Sequence, residues 1–333
     1  MTDTLAPWLQ TQLQTLLTRR GHAWLLQGPS GLGQYELALE LARAWLCEQP
    51  SEQGACGTCH SCHAVDVRTH PDLCVLLPET LSLELGWPLD EKTQDKLDKK
   101  ERKPSKEIRV DAAREMVTFT QHTRSGGRTK VVLIYPAERM NAVTANTILK
   151  TLEEPPGETR FVLASEAAHQ LLPTIRSRCQ VHTLVWPQPA QAQAWLQQQG
   201  LGEGDATALL RAAGGRPADA AVLAAQGLQA SQWASLPRAL AKGDVSVLAD
   251  ASPAQALAVM QKICHDALAL SQGAEPRFFA ADDLPPGPLR LDALSQWSRE
   301  LMQQARTVEH PFNPGLMLEA LVARARAVLQ ARA

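Results

Sequence analysis

The residues that would make a phosphate-binding loop work are missing from the place where such a loop belongs. Positions 28–35 read Gly28-Pro29-Ser30-Gly31-Leu32-Gly33-Gln34-Tyr35, after the apolar run Ala23-Trp24-Leu25-Leu26 and before a helical pattern. A functional G-x-x-x-x-G-K-[ST] loop places a Lys ammonium on the β- and γ-phosphates and a small hydroxyl on Mg²⁺. Gln34 stands where the Lys belongs and has no charge to offset a triphosphate. Tyr35 stands where the Ser or Thr belongs, and its phenol is too large to ligate Mg²⁺ from that position. Acidic residues are also missing at the end of a second apolar run, Val131–Ile134, which continues as Tyr135-Pro136-Ala137-Glu138. A hydrolase needs an acid there to hold Mg²⁺ and another to polarise water. Glu138 arrives a few residues late and reads as a surface acid at a helix start. Together these losses remove interactions that stabilise a transferring phosphoryl group. Gly28 and Gly33 keep the frame of a nucleotide site, and no bound ATP is expected.

Other absences exclude further classes. There is no excess of charge of one sign: 33 Lys and Arg face 35 Asp and Glu, for a net charge of −2. Such a balance gives no global attraction to nucleic acid, which argues against a free-standing DNA binder. No apolar stretch is long enough to span a bilayer, and Met1–Pro7 has no basic segment leading into an apolar core. A soluble cytoplasmic protein is expected. No internal repeat of fixed period is evident.

What is present suffices for two or three domains, since 333 residues exceed what one core ordinarily organises. Leu9, Leu13, Leu16 and Leu17 predict a helix over Trp8–Arg20, and a second is predicted over Glu36–Trp45. Leu73–Leu77, Lys130–Tyr135 and Arg160–Ser165 are short apolar runs. The last two flank a helical segment at Ala142–Leu152 and so read as a βαβ unit in a parallel sheet buried on both faces. Helical pattern also covers Ile108–Val117. Asp90–Glu107 carries seven basic and six acidic side chains and almost nothing apolar. A mobile insertion and a solvated helix both fit it, whereas its cancelling charges do not suit a nucleic-acid arm. After Trp186-Pro187-Gln188-Pro189 the strand signals stop. Helices are expected near Val245–Ser271, Leu291–Arg306 and Leu316–Ala331, as in a bundle.

Four of the seven cysteines form Cys47-x8-Cys56-x2-Cys59-x2-Cys62. In a cytosolic chain this spacing reads as metal before disulfide. Four thiolates close a tetrahedral Zn²⁺ site and leave no open position, which favours a structural role. An iron–sulfur run would continue with C-x3-C-P, and this one does not. His60 and His63 are alternative ligands but read as exposed loop residues. Cys74, Cys179 and Cys264 read as core thiols. Glu153-Glu154-Pro155-Pro156 suggests paired carboxylates, yet two prolines after the acids fit a helix terminus better. Arg178, in Ser177-Arg178-Cys179, is of a kind that stabilises phosphoryl charge from outside a site.

Taken together, His22–Leu26, the cysteine module, His70-Pro71-Asp72, Asn146–Pro156 and Ser177-Arg178-Cys179 resemble the bacterial clamp-loader family of AAA+ proteins. The likeness is dense over residues 20–182. Beyond residue 190 only helical character and length carry it. It implies an AAA+ α/β domain over 1–186 with a zinc module at 47–62 and a charged insertion at about 78–107. A helical lid over 187–226 and a C-terminal helical collar over 227–333 would follow. It further implies a hetero-pentamer with gamma/tau ATPase subunits and a delta subunit, which loads a sliding clamp onto primed DNA. Among those subunits the degenerate loop resembles the non-motor kind. By the same resemblance Arg178 is an arginine finger offered in trans, and the four cysteines hold structural zinc. In motor subunits the lid carries another Arg on the nucleotide; here Ala218 falls in that register, with Arg216 close by. An ATP-hydrolysing motor and a zinc-dependent DNA-binding module are the competing readings. The charged insertion departs from the family pattern.

Overall fold

The computed structural model describes residues 5–287, 289–308 and 313–331. By internal contacts the chain forms two compact units, one up to Gln191 and one from Ala192.

In the first unit the elements run α1 (Pro7–Leu17), β1 (Ala23–Gln27), α2 (Gln34–Leu46), α3 (His60–Asp66), β2 (Leu73–Leu76), α4 (Glu79–Leu85), α5 (Glu91–Asp98), α6 (Val110–Gln121), β3 (Lys130–Ile134), α7 (Ala142–Glu153), β4 (Thr159–Ser165), α8 (Pro173–Arg176) and β5 (Gln180–Thr183). The five strands form one parallel sheet in the order β2-β3-β4-β1-β5. The central strands are continuous apolar runs because helices cover both faces. Every residue of β3 is buried, as are Trp24, Leu25, Phe161, Val162 and Leu163. Ile148 and Leu152 of α7 and Met116 of α6 pack in one apolar cluster with Val132, Ile134, Phe161 and Leu163.

Most predicted elements are present, with shifted ends. The first helix stops at Leu17, short of Arg20. Helix α2 starts at Gln34, two residues before the expected Glu36, because Gly33 at φ +97° turns the chain straight into it. A side chain at Gly33 would be strained, and its Cβ would fall 2.5 Å from Leu9 Cδ1. Strand β5 was not anticipated: Gln180-Val181-His182-Thr183 is short, largely exposed and at the sheet edge, so it lacks the apolar signature of the buried strands.

Within the charged stretch, α5 forms with no buried residue, so the solvated-helix alternative holds for Glu91–Asp98. Asp90 caps it by accepting from Thr93 N at 2.9 Å. The segment is fastened behind that helix. Glu79 is buried, pairs with Arg102 through both carboxylate oxygens and accepts from Ser105 N at 2.8 Å.

The chain continues with α9 (Pro189–Gln198), which belongs to the second unit from Ala192 on, and then with α10 (Glu203–Ala212), α11 (Pro217–Ala225), α12 (Ala230–Lys242), α13 (Pro253–Ser271), α14 (Leu291–Ala305) and α15 (Pro314–Gln330). One apolar cluster gathers Leu196, Leu209, Leu210 and Ala220 from α9 to α11. A larger one gathers Trp233, Leu257, Met260, Trp297 and Val322 from α12 to α15. Asp266, fully buried, accepts from the backbone N–H groups of Arg277, Phe278 and Phe279 at 2.7–2.9 Å. That one carboxylate organises the loop which brings Phe279 into a stack on Trp233, with ring centroids 4.6 Å apart.

Candidate nucleotide site and metal centre

The loop between β1 and α2 is closed by its own side chains. Gln34 is only 2% exposed, and its amide donates to the carbonyls of Gly28 at 2.7 Å and Pro29 at 2.6 Å. Both of its N–H groups are therefore spent on the loop. Trp8 of α1 donates from Nε1 to the carbonyl of Leu32 at 3.3 Å, while Leu9 lies against Gly33.

Tyr35 and Tyr135, the chain's only two tyrosines, meet beside this loop with ring centroids 5.3 Å apart. Tyr35 replaces the Mg²⁺ hydroxyl, and Tyr135 stands where the strand-end acid would be. The Tyr35 hydroxyl accepts from Trp87 Nε1 at 2.6 Å, and the Tyr135 hydroxyl donates to Glu166 Oε1 at 2.8 Å. Arg68 lies over the Trp87 ring at 5.5 Å. Burial raises the pKa of both phenols, more strongly for Tyr135, where the Glu166 carboxylate adds to it. Neither tyrosine supplies an anion for a divalent cation at neutral pH. Burial likewise pushes Glu36 up.

Glu138 is not the free surface acid expected. It sits in a short 3₁₀ turn after β3, half-buried, and accepts from Ser165 Oγ at 2.7 Å and Glu166 N at 3.0 Å. Its carboxylate ties the end of β3 to the end of β4, because the sheet places these strands side by side.

The four cysteines come together as their spacing predicts. Cys47 follows the last turn of α2, Cys56 and Cys59 lie in the following loop, and Cys62 is on α3. Their sulfurs all lie within 4.8 Å of one another, with Cys47 Sγ 3.9 Å from Cys59 Sγ and Cys56 Sγ 4.0 Å from Cys62 Sγ. A Zn–S bond of about 2.3 Å gives a tetrahedral S–S edge of roughly 3.8 Å, so the donor set fits a zinc-sized ion. Cys56 N donates to Cys47 Sγ at 3.3 Å and Cys62 N to Cys59 Sγ at 3.4 Å. Backbone N–H groups of Thr58 and Cys59 lower the Cys56 thiol to about 6, whereas burial raises Cys47 and Cys62. Four thiolates this close need a cation to exist together. His60 and His63 are exposed, as expected, but lie on α3 rather than in a loop, and neither joins the sulfur cluster.

Arg178 follows α8 and is folded back onto its own unit. Its Nε and Nη2 donate to Glu153 Oε2 at 2.8 and 2.7 Å, and Nη1 donates to the carbonyl of Thr174 at 3.0 Å. The side chain is 30% exposed. Glu153 closes α7 ahead of Pro155 and Pro156, as the helix-terminus reading requires, and also holds this guanidinium. In the second unit Arg216 pairs with Asp219 at 3.0 Å and donates to the carbonyl of Ala213 at 2.7 Å.

Sequence reasoning missed the tyrosine pair, Trp87 and the Glu153–Arg178 pair. All join residues far apart in the chain. The only sequence signal was that both tyrosines fell on positions where chemistry was missing.

The family model described as DNA polymerase III, delta subunit, matches residues 3–187. The DNA polymerase III subunit delta prime of Pseudomonas aeruginosa is 39% identical over 228 residues, and that of Escherichia coli is 36% identical over 234. These matches cover 67% and 68% of this chain and 62% of each relative's own length. The tau subunit of Salmonella typhimurium is 29% identical over 163 residues, 49% of this chain and 21% of that protein. Among solved structures, a DNA polymerase III gamma subunit-related protein from Thermotoga maritima aligns over 97% of this chain and all of its own, with a TM-score of 0.51 at 17% identity, a likeness of fold. With residues 3–187 of 333 matched by the family model, the chain belongs to the DNA polymerase III delta-subunit family, and the relatives it resembles at 36–39% identity are delta prime subunits.

Proposed function

We propose that this protein is a stator: the delta prime subunit of a clamp loader, which takes part in placing a sliding clamp on primed DNA without using ATP itself. Its partners would be gamma/tau ATPase subunits and a delta subunit in a hetero-pentamer, with clamp and DNA reached through the complex. The observation that carries this reading is the tyrosine pair. Tyr35 and Tyr135 fill the two positions from which Mg²⁺ would be held, and the Gln34 amide is spent on the loop's own carbonyls. The motor reading would need a displaced acid, and Glu138 is already engaged by Ser165 and Glu166. The DNA-binding reading has only the near-neutral charge to work with.

In this proposal Arg178 is presented to the γ-phosphate of a neighbouring subunit. Its planar guanidinium would spread over phosphoryl oxygens as negative charge develops. Leaving Glu153 costs little, because a solvent-accessible ion pair contributes only about 0–1 kcal/mol. Until then Glu153 keeps the guanidinium oriented at the edge of the unit. Cys47, Cys56, Cys59 and Cys62 would hold structural zinc. The helical unit would divide into a lid over 187–226 and a collar over 227–333, acting in the cytoplasm.

The test is Arg178→Ala in a clamp loader reconstituted with its own ATPase subunits. Assembly should be intact while turnover falls several-fold, since one neighbour's site loses a group of a kind worth roughly 10³–10⁵ where it acts alone. Unchanged turnover in a fully assembled complex would remove Arg178 from the mechanism.

A further inference from the structure

Arg43 stands in the last turn of α2, one turn before Cys47, and Cys47 N donates back to its carbonyl at 2.9 Å. The guanidinium leans toward the cysteine turn, where a Cβ built on Gly57 would lie 3.7 Å from Arg43 Nη2. Nη1 reaches Glu40 at 3.2 Å and Nη2 reaches Asp66 at 3.0 Å. The third donor is the anomaly. Arg43 Nε is buried and has no hydrogen-bond partner among the described residues. A buried N–H left this way costs about 1–3 kcal/mol, so a compensating interaction is expected nearby.

The charges around it supply a reason. Four thiolates around Zn²⁺ carry a net charge of −2. The C-terminal carbonyls of α2 add partial negative charge at the same point, which favours a cation in the last turn. Glu40 and Asp66, at 3.2 and 3.0 Å, keep the guanidinium charged and oriented at this half-buried position. Desolvation of a guanidinium is less costly than that of an ammonium, which suits a position of this kind.

We propose that Arg43 is the counter-charge of the four-cysteine centre, a positioning residue that stabilises the metal-loaded state. This rests on the reading that the cysteines hold zinc. The same helix that begins at the closed loop with Gln34 would then end as the electrostatic support of the metal. Groups surrounding a metal's ligands typically change its affinity by about 10–100-fold when removed.

The experiment measures Zn²⁺ affinity of the full chain by competition with a chromophoric chelator, together with the thiolate-to-Co²⁺ absorption of the cobalt-substituted protein. Arg43→Met keeps the apolar stem of the side chain and removes the guanidinium with its charge, and should weaken Zn²⁺ binding by at least roughly tenfold. Arg43→Lys should recover most of that loss. Asp66→Asn breaks the ion pair but leaves the guanidinium in place, and should keep affinity within about threefold of the parent, well inside the tenfold expected for Arg43→Met. If Asp66→Asn weakens binding as much as Arg43→Met, Arg43 acts through its ion pairs and the proposal is overturned. Equal Zn²⁺ affinity of Arg43→Met and the parent overturns it as well. If Arg43→Met does not fold, Arg43→Gln, which removes the charge but stays polar, decides: Zn²⁺ binding weakened by roughly tenfold supports the counter-charge, and affinity equal to the parent overturns it. A parent protein that binds neither metal through sulfur refutes the zinc reading itself, a result distinct from the others.

Discussion

If the loop between β1 and α2 has been converted from a ligand site into packed interior, Tyr35 should behave as a core residue. It is 9% exposed, its ring meets Tyr135 at 5.3 Å, and its hydroxyl accepts from Trp87 at 2.6 Å. Tyr35→Phe keeps the ring and leaves the half-buried Trp87 N–H without its acceptor, at a cost of about 1 kcal/mol. Tyr35→Thr restores the residue type of a working loop and removes the ring. It loses the aromatic pair, about 0.5–1.5 kcal/mol, and opens a cavity, for a total of about 3 kcal/mol. For a unit of this size that corresponds to a Tm lower by roughly 6–12 °C. Thermal and urea unfolding of the full chain, followed by far-UV circular dichroism, read both variants. The ordering matters more than the absolute values: parent above Tyr35→Phe, and Tyr35→Phe well above Tyr35→Thr. A Tyr35→Thr protein within about 0.5 kcal/mol of the parent would refute the argument, because exposed positions behave that way.

Other outcomes follow from single contacts. Gly33→Ala forces φ +97° on a side chain whose Cβ meets Leu9 Cδ1 at 2.5 Å, and should cost about 1–3 kcal/mol in the same unfolding assay. For Glu79, burial alone would raise the pKa, but Arg102, the Ser105 N–H and Arg109 outweigh it and hold the carboxyl below the usual range. The stabilisation is therefore present above the ordinary Glu pKa and is lost as pH falls through the lowered one. Hydrogen exchange across residues 99–107, measured against the intrinsic rate at each pH, should accelerate only on acidification below the usual carboxylate range. Glu79→Gln should accelerate it at neutral pH, and tryptic cleavage in the same stretch should rise with it. Unchanged cleavage in Glu79→Gln would mean that the Arg102 pair does not fasten the segment.

The sequence was most readable where one residue type recurs at fixed spacing. Val131–Ile134 and Phe161–Ala164 read as buried strands because both sheet faces are covered, and the cysteine spacing led straight to the sulfur cluster. Gln34 and Tyr35 were legible as losses because a phosphate loop has strict requirements at those positions. What replaced the lost chemistry was not legible. Tyr35 and Tyr135 are 100 residues apart, and only the placement of β3 near the start of α2 brings them together. Trp87 comes from the charged insertion, whose composition suggests no role at this site. Strand β5 escaped because an exposed edge strand needs no apolar face. Arg178 stands out as a candidate by its motif, but its pairing with Glu153 depends on where α7 ends.

On the proposed reading this protein keeps the frame of a nucleotide site without its chemistry. Titration of Mg²⁺–ATP into the purified chain, with hydrolysis followed in the same sample, tests it most directly. The account predicts no turnover and no binding that responds to substitution at Gln34 or Tyr35. ATP turnover by the isolated chain, abolished by changes within residues 28–35, would contradict it and make this protein a motor.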